Sequence, residues 1–280
     1  MSKAIPELTL NDGLTLPVIG LGTYKLKGND GVNSIQSAMD IGYRLIDSAY
    51  NYENEGTVGE AVRRSSVPRE ELRITSKLPG RYQSYNKAVT TIEESLYRAH
   101  LDYYDLYLIH WPNPKQDQYV EAWQALIEAK KKGLIRSIGV CNFLPEHIKR
   151  LEKETGVKPS VNQIELHPYF NQADLRIWHE EKEIKIESWS PLARANDILQ
   201  NDTLQMIASH HNKSISQIIL RWHYQLGAIS IPKSASPTRQ LENISIFDFT
   251  LNESEMSIIS GFTRPDGRIN NQDPAEYEEF

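Results

Sequence analysis

Cysteine is almost absent from this sequence, which has Cys141 alone among 280 residues. One cysteine cannot form a disulfide within the chain, so no such bond holds the fold together. This usage agrees with a reducing compartment, and we expect a cytoplasmic protein. The opening residues, MSKAIPELTL, lack a basic segment followed by a long apolar run, so we also expect no signal peptide.

Long apolar runs and blocks of like charge are missing as well. No stretch approaches the ~20 apolar residues of a membrane-spanning helix, which predicts no membrane partner. The formal net charge is -6, and the Lys and Arg residues do not cluster as they do in proteins that neutralise phosphates. We therefore expect no nucleic-acid partner.

No linker, low-complexity run or break in composition divides the chain. A length of 280 residues with 39% hydrophobic and 24% charged residues suits one large α/β domain with a buried core. We predict a single domain over residues 1–280.

Short apolar runs alternate along the chain with segments of helical period, such as Val32, Ile35 and Met39. This alternation implies right-handed βαβ units and a parallel sheet. Eight repeats favour a closed (β/α)8 TIM barrel, of class α/β, over an open sheet. The eight predicted strands are 18–22, 43–47, 72–77, 105–110, 137–140, 161–165, 184–189 and 228–231.

Two further segments lie outside these repeats. Alternating apolar residues over 8–16 flank Asp12-Gly13, which is a strong hairpin signal. A hairpin there would plug the N-terminal mouth of the barrel. The segment after Gly261 is rich in Pro, Gly, Asn and acidic residues, and we expect a surface loop folded over the C-terminal mouth.

Four predicted strands end in ionisable residues: Asp47, Lys77, His110 and Glu165. A strand buried on both faces should not end in a charge unless the charge is paired or used. Barrel chemistry sits at the C-terminal ends of the strands, so these residues mark the candidate site. Taken singly, a Lys–Asp pair is usually structural, and a His at a strand end is usually a satisfied core residue.

The segment LIDSAYNYENEGTVG, residues 45–59, resembles the signature of the aldo-keto reductases: an Asp at a strand end, a Tyr five residues on, then Asn-Glu and Val-Gly. One such motif is weak, but the full set, in the family's order over almost the whole chain, is highly specific. The short loop after Trp111 and the short tail resemble bacterial members, which reduce small aldehydes, dicarbonyls such as methylglyoxal, and keto-sugar acids such as diketo-gluconate. The other matching segments are 74–78 (ITSKL), 106–112 (LYLIHWP), 138–143 (IGVCNF), 161–168 (VNQIELHP), 190–192 (SPL) and 231–234 (IPKS).

The resemblance implies NADPH-dependent reduction of aldehydes or ketones to alcohols. NADPH supplies the hydride, and the protein must place it and supply a proton. Tyr52 would donate this proton, and a Lys77 ammonium at ~4 Å would lower the tyrosine pKa from ~10 by at most ~3 units. Asp47 would hold Lys77 charged in a buried ion pair, and His110 would orient the substrate carbonyl oxygen.

The cofactor site does not follow the Rossmann pattern, because Thr23 and Tyr24 replace the rest of Gly-x-Gly-x-x-Gly after Gly22. By resemblance, NADPH would lie extended across the barrel mouth, with its nicotinamide ring stacked on Trp189. The family more often has Ser where Cys141 stands and Tyr where Trp189 stands. The predicted cofactor contacts are Gly22, Thr23, Tyr24, Asp47, Cys141, Asn142, Gln163, Trp189, Ser190, Leu192, Lys233, Ser234, Arg239, Glu242 and Asn243.

The segment after the eighth predicted strand favours NADPH over NADH. Barrels often bind phosphate there, and Lys233, Ser234 and Arg239 supply two cations and a hydroxyl that suit a 2′-phosphate. The alternative, that the cations merely solvate a helix start, runs against the helix dipole. Glu242 and Asn243 would hold the adenine amino group.

The predicted substrate contacts are Tyr24, Tyr50, His110 and Trp111, so the pocket wall is aromatic. Two other classes stay open. A non-catalytic NADPH-binding regulatory protein on the same fold would be favoured by loss of one of the four catalytic residues, and all four are present. A metal-dependent hydrolase has little support, because no His-x-His or His-x-x-x-His pair lies on a predicted strand end, and we predict no metal. The resemblance also implies a monomer.

Overall fold

The structure is a computed structural model that describes residues 5–195 and 197–280. Strands and helices alternate through most of it, as the sequence periodicity predicts. The strands are β1 (Glu7–Thr9), β2 (Thr15–Pro17), β3 (Leu21–Gly22), β4 (Leu45–Asp47), β5 (Arg73–Leu78), β6 (Tyr104–Ile109), β7 (Ile135–Cys141), β8 (Val161–Glu165), β9 (Lys185–Trp189) and β10 (Ile229–Ser230). The α-helices are α1 (Gly28–Ile41), α2 (Glu55–Arg64), α3 (Tyr85–Ala99), α4 (Tyr119–Lys131), α5 (Pro145–Thr155), α6 (Ala173–Glu181), α7 (Asp202–His211), α8 (Ile215–Gln225), α9 (Pro237–Ile244) and α10 (Glu253–Ser260).

Strands β3 to β10 form one parallel sheet in which each strand pairs with the next along the chain. The two edges of this sheet also meet. Gly20 N donates to the Ser230 carbonyl oxygen at 2.8 Å, and Ser230 N donates to the Val18 carbonyl oxygen at 3.1 Å. The sheet therefore curls into the predicted (β/α)8 barrel, and each of the eight predicted strands corresponds to one observed strand.

The predicted hairpin is formed by β1 and β2, which pair antiparallel. Leu10 and Leu16 are buried, and they belong to one apolar cluster with Leu45, Leu106 and Val161 from barrel strands. The hairpin therefore contributes side chains to the barrel interior, as the plug interpretation predicts.

The main core lies between the sheet and the surrounding helices. The apolar stripe of α1, with Val32, Ile35 and Met39, is buried there. Trp123 of α4 is fully buried in the same cluster, and burying a large apolar side chain stabilises the fold by ~1.5–3 kcal/mol. Within the part of the chain that the structure describes, no helix is long and apolar enough to cross a membrane.

The segment after α10 returns over the C-terminal end of the barrel, as predicted. Ile269 N donates to Glu165 Oε1 at 2.7 Å, and Glu165 is the last residue of β8. Further along, the Tyr277 ring lies 4.4 Å from the Trp111 ring. The tail thus forms part of the wall around the strand ends.

Candidate active site

A buried ion pair lies at the C-terminal end of the barrel, between Lys77 in β5 and Asp47 at the end of β4. Lys77 Nζ donates to both carboxylate oxygens of Asp47, at 2.7 and 2.8 Å, and to the Ser48 carbonyl oxygen at 2.7 Å. Burial lowers the pKa of Lys77, but its acidic neighbours, foremost the Asp47 carboxylate, together raise it, so the pKa lies above its usual value. Lys77 is therefore charged, and all three ammonium hydrogens are used.

The strand register explains why these side chains meet. Asp47 pairs with Thr75, and Lys77 lies two residues further along β5. Lys77 in turn pairs with Leu108, and His110 follows two residues later. Residues two apart point to the same face of a sheet. The register thus brings Asp47, Lys77 and His110 to one end of the barrel.

Tyr52 ends a short 3-10 turn, Tyr50–Tyr52, that follows β4. Its ring centroid lies 5.2 Å from Lys77 Nζ and 6.1 Å from the His110 ring centroid. Within the described residues its hydroxyl has no hydrogen-bond partner, which suits a group that must donate to a ligand. The four predicted catalytic side chains are therefore neighbours.

The prediction that Lys77 brings the pKa of Tyr52 down towards neutrality is wrong for the free protein. Burial raises this pKa, Lys77 lowers it, Asp47 raises it again, and the result is about 12. The physical reason is that the phenolate loses its hydration, whereas the Lys77 charge is already largely balanced by its Asp47 partner. Tyr52 is consequently protonated at neutral pH and available as a donor.

Inside the barrel, the Gln163 side chain links the ion pair to a second buried acid. Gln163 Nε2 donates to Asp47 Oδ2 at 2.9 Å and to Glu187 Oε2 at 3.0 Å. Glu187 is fully buried, and burial together with the nearby Asp47 charge raises its pKa to about 8. The sequence interpretation missed Glu187 because it considered charges only at strand ends. A charge inside the buried strand 184–189 is the signal that would have found it.

Replacement of Glu187 with Gln is expected to make the protein more stable at alkaline pH and nearly unchanged in acid. A carboxyl whose pKa rises from 4.5 to about 8 on folding binds its proton more tightly in the folded state. Its contribution to stability therefore falls as the pH rises from the unfolded to the folded pKa. Scanning calorimetry should show the Tm of Glu187→Gln, relative to the native Tm, rising by at least ~3 °C between about pH 5 and about pH 9.

The matched control is Glu276→Gln, which removes an exposed carboxylate of the tail. Its Tm should follow the native Tm across the same pH range. A Tm difference for Glu187→Gln that does not change with pH would contradict a buried, protonated Glu187.

Two predicted cofactor contacts, Trp189 and Asn142, are the last residue of β9 and the residue that follows β7. Trp189 Nε1 donates to Asn142 Oδ1 at 2.7 Å, and Asn142 Nδ2 donates to the His110 carbonyl oxygen at 3.2 Å. Asn142 and Ser190 both have left-handed backbone conformations, with φ of 60° and 48°, as sites of function often do. The Asn142 amide is thus engaged in the free protein, so its predicted contact requires an exchange of partners. Cys141 is buried, and burial raises its thiol pKa well above the usual value.

The predicted phosphate site surrounds the first turn of α9. Lys233 and Arg239 are exposed, and neither forms an ion pair with a residue that the structure describes. Ser236 caps the helix by accepting from Arg239 N at 3.5 Å, and Ser234 Oγ accepts from Ser236 N at 3.2 Å. Two unpaired cations at a helix N-terminus are a ready anion site.

Gly22, at the end of β3, lies close to the segment that follows β10. A Cβ at Gly22 would lie 2.8 Å from the Ile231 carbonyl oxygen, so only glycine allows this approach. Of the predicted adenine contacts, Glu242 already accepts from the Ser214 hydroxyl, and Asn243 is buried. Leu192 is partly buried against the core.

Thr23 is one of the predicted cofactor contacts. In the structure its hydrogen bonds are made to other groups of the protein. It is fully buried, and its hydroxyl donates to the Asp47 carbonyl oxygen at 2.9 Å. Asn54, which the sequence interpretation left without a role, donates to the Thr23 carbonyl oxygen at 2.8 Å and accepts from Ser48 Oγ at 2.8 Å. These bonds connect Asn54, which follows Tyr52 in the chain, with Ser48, which precedes it, and with Thr23.

The predicted substrate contacts have different neighbours in the structure. Tyr24 is half exposed, and its ring packs edge-on against Tyr52 at 5.1 Å. Trp111 is buried beneath Tyr277 of the tail. The Tyr50 ring packs edge-on against Tyr82 at 5.8 Å, and the Arg98 guanidinium lies 3.9 Å from its centroid.

Within the described residues, one group of side chains has ligand atoms close enough together to hold a metal ion. Glu255 Oε1 lies 3.2 Å from His210 Nδ1 and 2.9 Å from His211 Nε2. The group lies on α7 and α10 and not at the strand ends. His210 and His211 are the last two residues of α7.

Comparisons with known proteins agree with this geometry. The sequence profile of the Aldo/keto reductase family matches residues 18–264. The 2,5-diketo-D-gluconic acid reductase B of Corynebacterium sp. (strain SHS752001) is 50% identical over 276 residues, which cover 99% of each chain. The methylglyoxal reductase DkgA of Yersinia pestis is 45% identical over 256 residues, 91% of this chain and 92% of that one.

Solved structures show the same likeness. A crystal structure of a Gox0644 variant in complex with NADPH superposes with a TM-score of 0.93 at 40% identity, covering 99% of this chain and 100% of that one.

Proposed function

The chain belongs to the aldo/keto reductase family, and we propose that it reduces small aldehydes and ketones that carry a second carbonyl group, with Tyr52 as proton donor. NADP-dependent carbonyl reduction follows from the family and from the reductases to which the chain is similar. The substrate class is carried over from the 2,5-diketo-D-gluconic acid and methylglyoxal reductases. The observation that carries the role of Tyr52 is its position beside the buried Lys77–Asp47 pair, with its hydroxyl unpartnered within the described residues.

The residues present fit a phosphorylated dinucleotide. The exposed cations Lys233 and Arg239 at the start of α9 would hold the 2′-phosphate, and Trp189 would stack on the nicotinamide ring. Gln163 lies between Asp47 and Glu187, at the level of Cys141 in the barrel, and would contact the nicotinamide amide. When bound, NADPH supplies the hydride for the carbonyl carbon.

Tyr52 supplies the proton that the carbonyl oxygen needs. A pKa of about 12 keeps this proton in place at neutral pH. An alkoxide is a far stronger base than a phenolate, since even water has a pKa of ~15.7, so transfer from Tyr52 to the reduced oxygen is downhill. Lys77 then stabilises the phenolate charge left behind, and His110 orients the oxygen.

The test is the loss of NADPH absorbance with methylglyoxal, 2,5-diketo-gluconate and 4-nitrobenzaldehyde, measured in the presence of a metal chelator. We expect turnover of all three, with kcat/KM at least ~10-fold higher for NADPH than for NADH, because two charge-assisted contacts to the 2′-phosphate are lost with NADH. The dicarbonyl substrates should have the higher kcat/KM. Tight NADPH binding without any turnover would favour the regulatory alternative, and turnover abolished by the chelator would favour a metal enzyme.

The remaining features stay predictions. We propose one domain over residues 1–280, acting as a cytoplasmic monomer. Support comes from the single cysteine and from the family resemblance. Gel filtration with light scattering would measure the oligomeric state.

A further inference from the structure

Glu279 is buried although it is the second-last residue of the chain. It is 7% exposed, whereas the neighbouring Phe280 is 79% exposed. The last residues of a domain are ordinarily loose unless specific contacts tie them down. Residues 265–280 lie beyond the segment that the family profile matches.

The main chain of Glu279 binds the side chain of Asn113 and lies close to Gly80. Glu279 N donates to Asn113 Oδ1 at 3.1 Å, and Asn113 Nδ2 donates to the Glu279 carbonyl oxygen at 2.9 Å. A Cβ at Gly80 would lie 2.5 Å from that carbonyl oxygen and 2.3 Å from Asn113 Nδ2. A glycine at position 80 is therefore what allows the tail to approach so closely.

The carboxylate of Glu279 is surrounded by three donors. Its Oε1 lies 2.7 Å from His110 Nδ1 and accepts from Asn51 Nδ2 at 2.7 Å. Its Oε2 accepts from Gly80 N at 2.9 Å. Burial raises the pKa of Glu279, but the three donors together lower it below the usual value, so the group is ionised at neutral pH.

These three donors belong to the three segments that carry the proposed catalytic side chains. Asn51 precedes Tyr52 in the turn after β4. Gly80 follows β5, which contains Lys77. His110 follows β6. One carboxylate from the tail thus contacts all three segments.

We propose that Glu279 is a positioning residue that fixes the orientation and the tautomer of His110, an inference that rests on the proposed reductase function. A carboxylate only accepts hydrogen bonds. An anionic oxygen 2.7 Å from Nδ1 repels a bare lone pair on that nitrogen and therefore favours the hydrogen on Nδ1. The other ring nitrogen, Nε2, is left for the substrate oxygen, and Nε2–H donates to that oxygen when the ring is protonated. The partner of a histidine nitrogen sets the role of the opposite nitrogen in this way.

The test is Glu279→Gln, with Glu276→Gln as the matched control. Glutamine keeps the size of the side chain and the main-chain bonds to Asn113, but its amide offers one acceptor oxygen and a donor group to three facing donors. At least one donor loses its partner, and the neutral amide removes the negative charge beside His110 Nδ1. We expect kcat for carbonyl reduction to fall by at least ~10-fold, the scale of a lost charge-assisted hydrogen bond, while the NADPH dissociation constant changes less than ~2-fold. Glu276→Gln should keep the native kcat, because that side chain is exposed.

A spectroscopic readout separates positioning from a general effect on the tail. Nitrogen-15 spectra, with the His110 signals assigned from their loss in His110→Gln, should show Nδ1 protonated in the native protein and a changed pattern in Glu279→Gln. A native kcat and an unchanged His110 pattern in Glu279→Gln would overturn the proposal while leaving the reductase function intact. Equal losses in both Gln variants, or a parallel loss of NADPH affinity, would also overturn it. If the native protein itself reduces no carbonyl, the proposed function fails first, and with it the role of Glu279 in the reaction.

Discussion

Replacement of Tyr52 with Phe is expected to lower kcat for carbonyl reduction by at least ~100-fold, the low end of the contribution of a general acid. The substitution removes the only atom through which the ring can deliver a proton and keeps the ring itself, which packs against Tyr24. Binding of NADPH should therefore change less than ~2-fold, and the loss should appear in kcat because the proton moves in the transition state. Rapid-mixing measurements of NADPH oxidation would separate the chemical step from product release.

The matched control for this substitution is Tyr97→Phe. Tyr97 lies on α3 and is 69% exposed, so the loss of its hydroxyl should leave kcat and stability unchanged. A Tyr52→Phe variant that keeps more than ~10% of the native kcat would contradict the role of Tyr52 as general acid. Water or His110 would then have to supply the proton.

The fold was accessible from the sequence because each barrel strand is a short apolar run between helical segments. Eight short apolar runs alternate with segments of helical periodicity along the chain. Each of these runs corresponds to an observed strand. Asp47, Lys77 and His110 were also accessible, because a charge at the end of a buried strand needs a partner or a use. Tyr52 has no such signal, since it lies on a turn, and only the family signature pointed to it.

Other features of the site depend on contacts between distant parts of the chain. The raised pKa of Tyr52 follows from burial among side chains of several strands, which residue spacing does not report. Glu279 has no periodicity around it, and its position is set by Asn113, 166 residues away along the chain. Tyr50 is predicted in the substrate pocket from its position in sequence, and the packing of its ring against the Arg98 guanidinium is a contact that the sequence does not report.

The second large effect is expected at Lys77. Lys77→Met leaves the Asp47 carboxylate buried without its cation, and loss of one partner of a buried pair costs ~3–5 kcal/mol. The Tm should fall by roughly 6–15 °C, and kcat should fall by at least ~100-fold, because the phenolate of Tyr52 loses its stabilising charge. The double variant Asp47→Asn/Lys77→Met carries no unpaired charge, and we expect it to recover most of the Tm and none of the kcat. Calorimetry and NADPH oxidation on the two single variants and the double variant complete the cycle. Recovery of activity in the double variant would mean that Lys77 acts only on stability, and Tyr52 would then have to work without it.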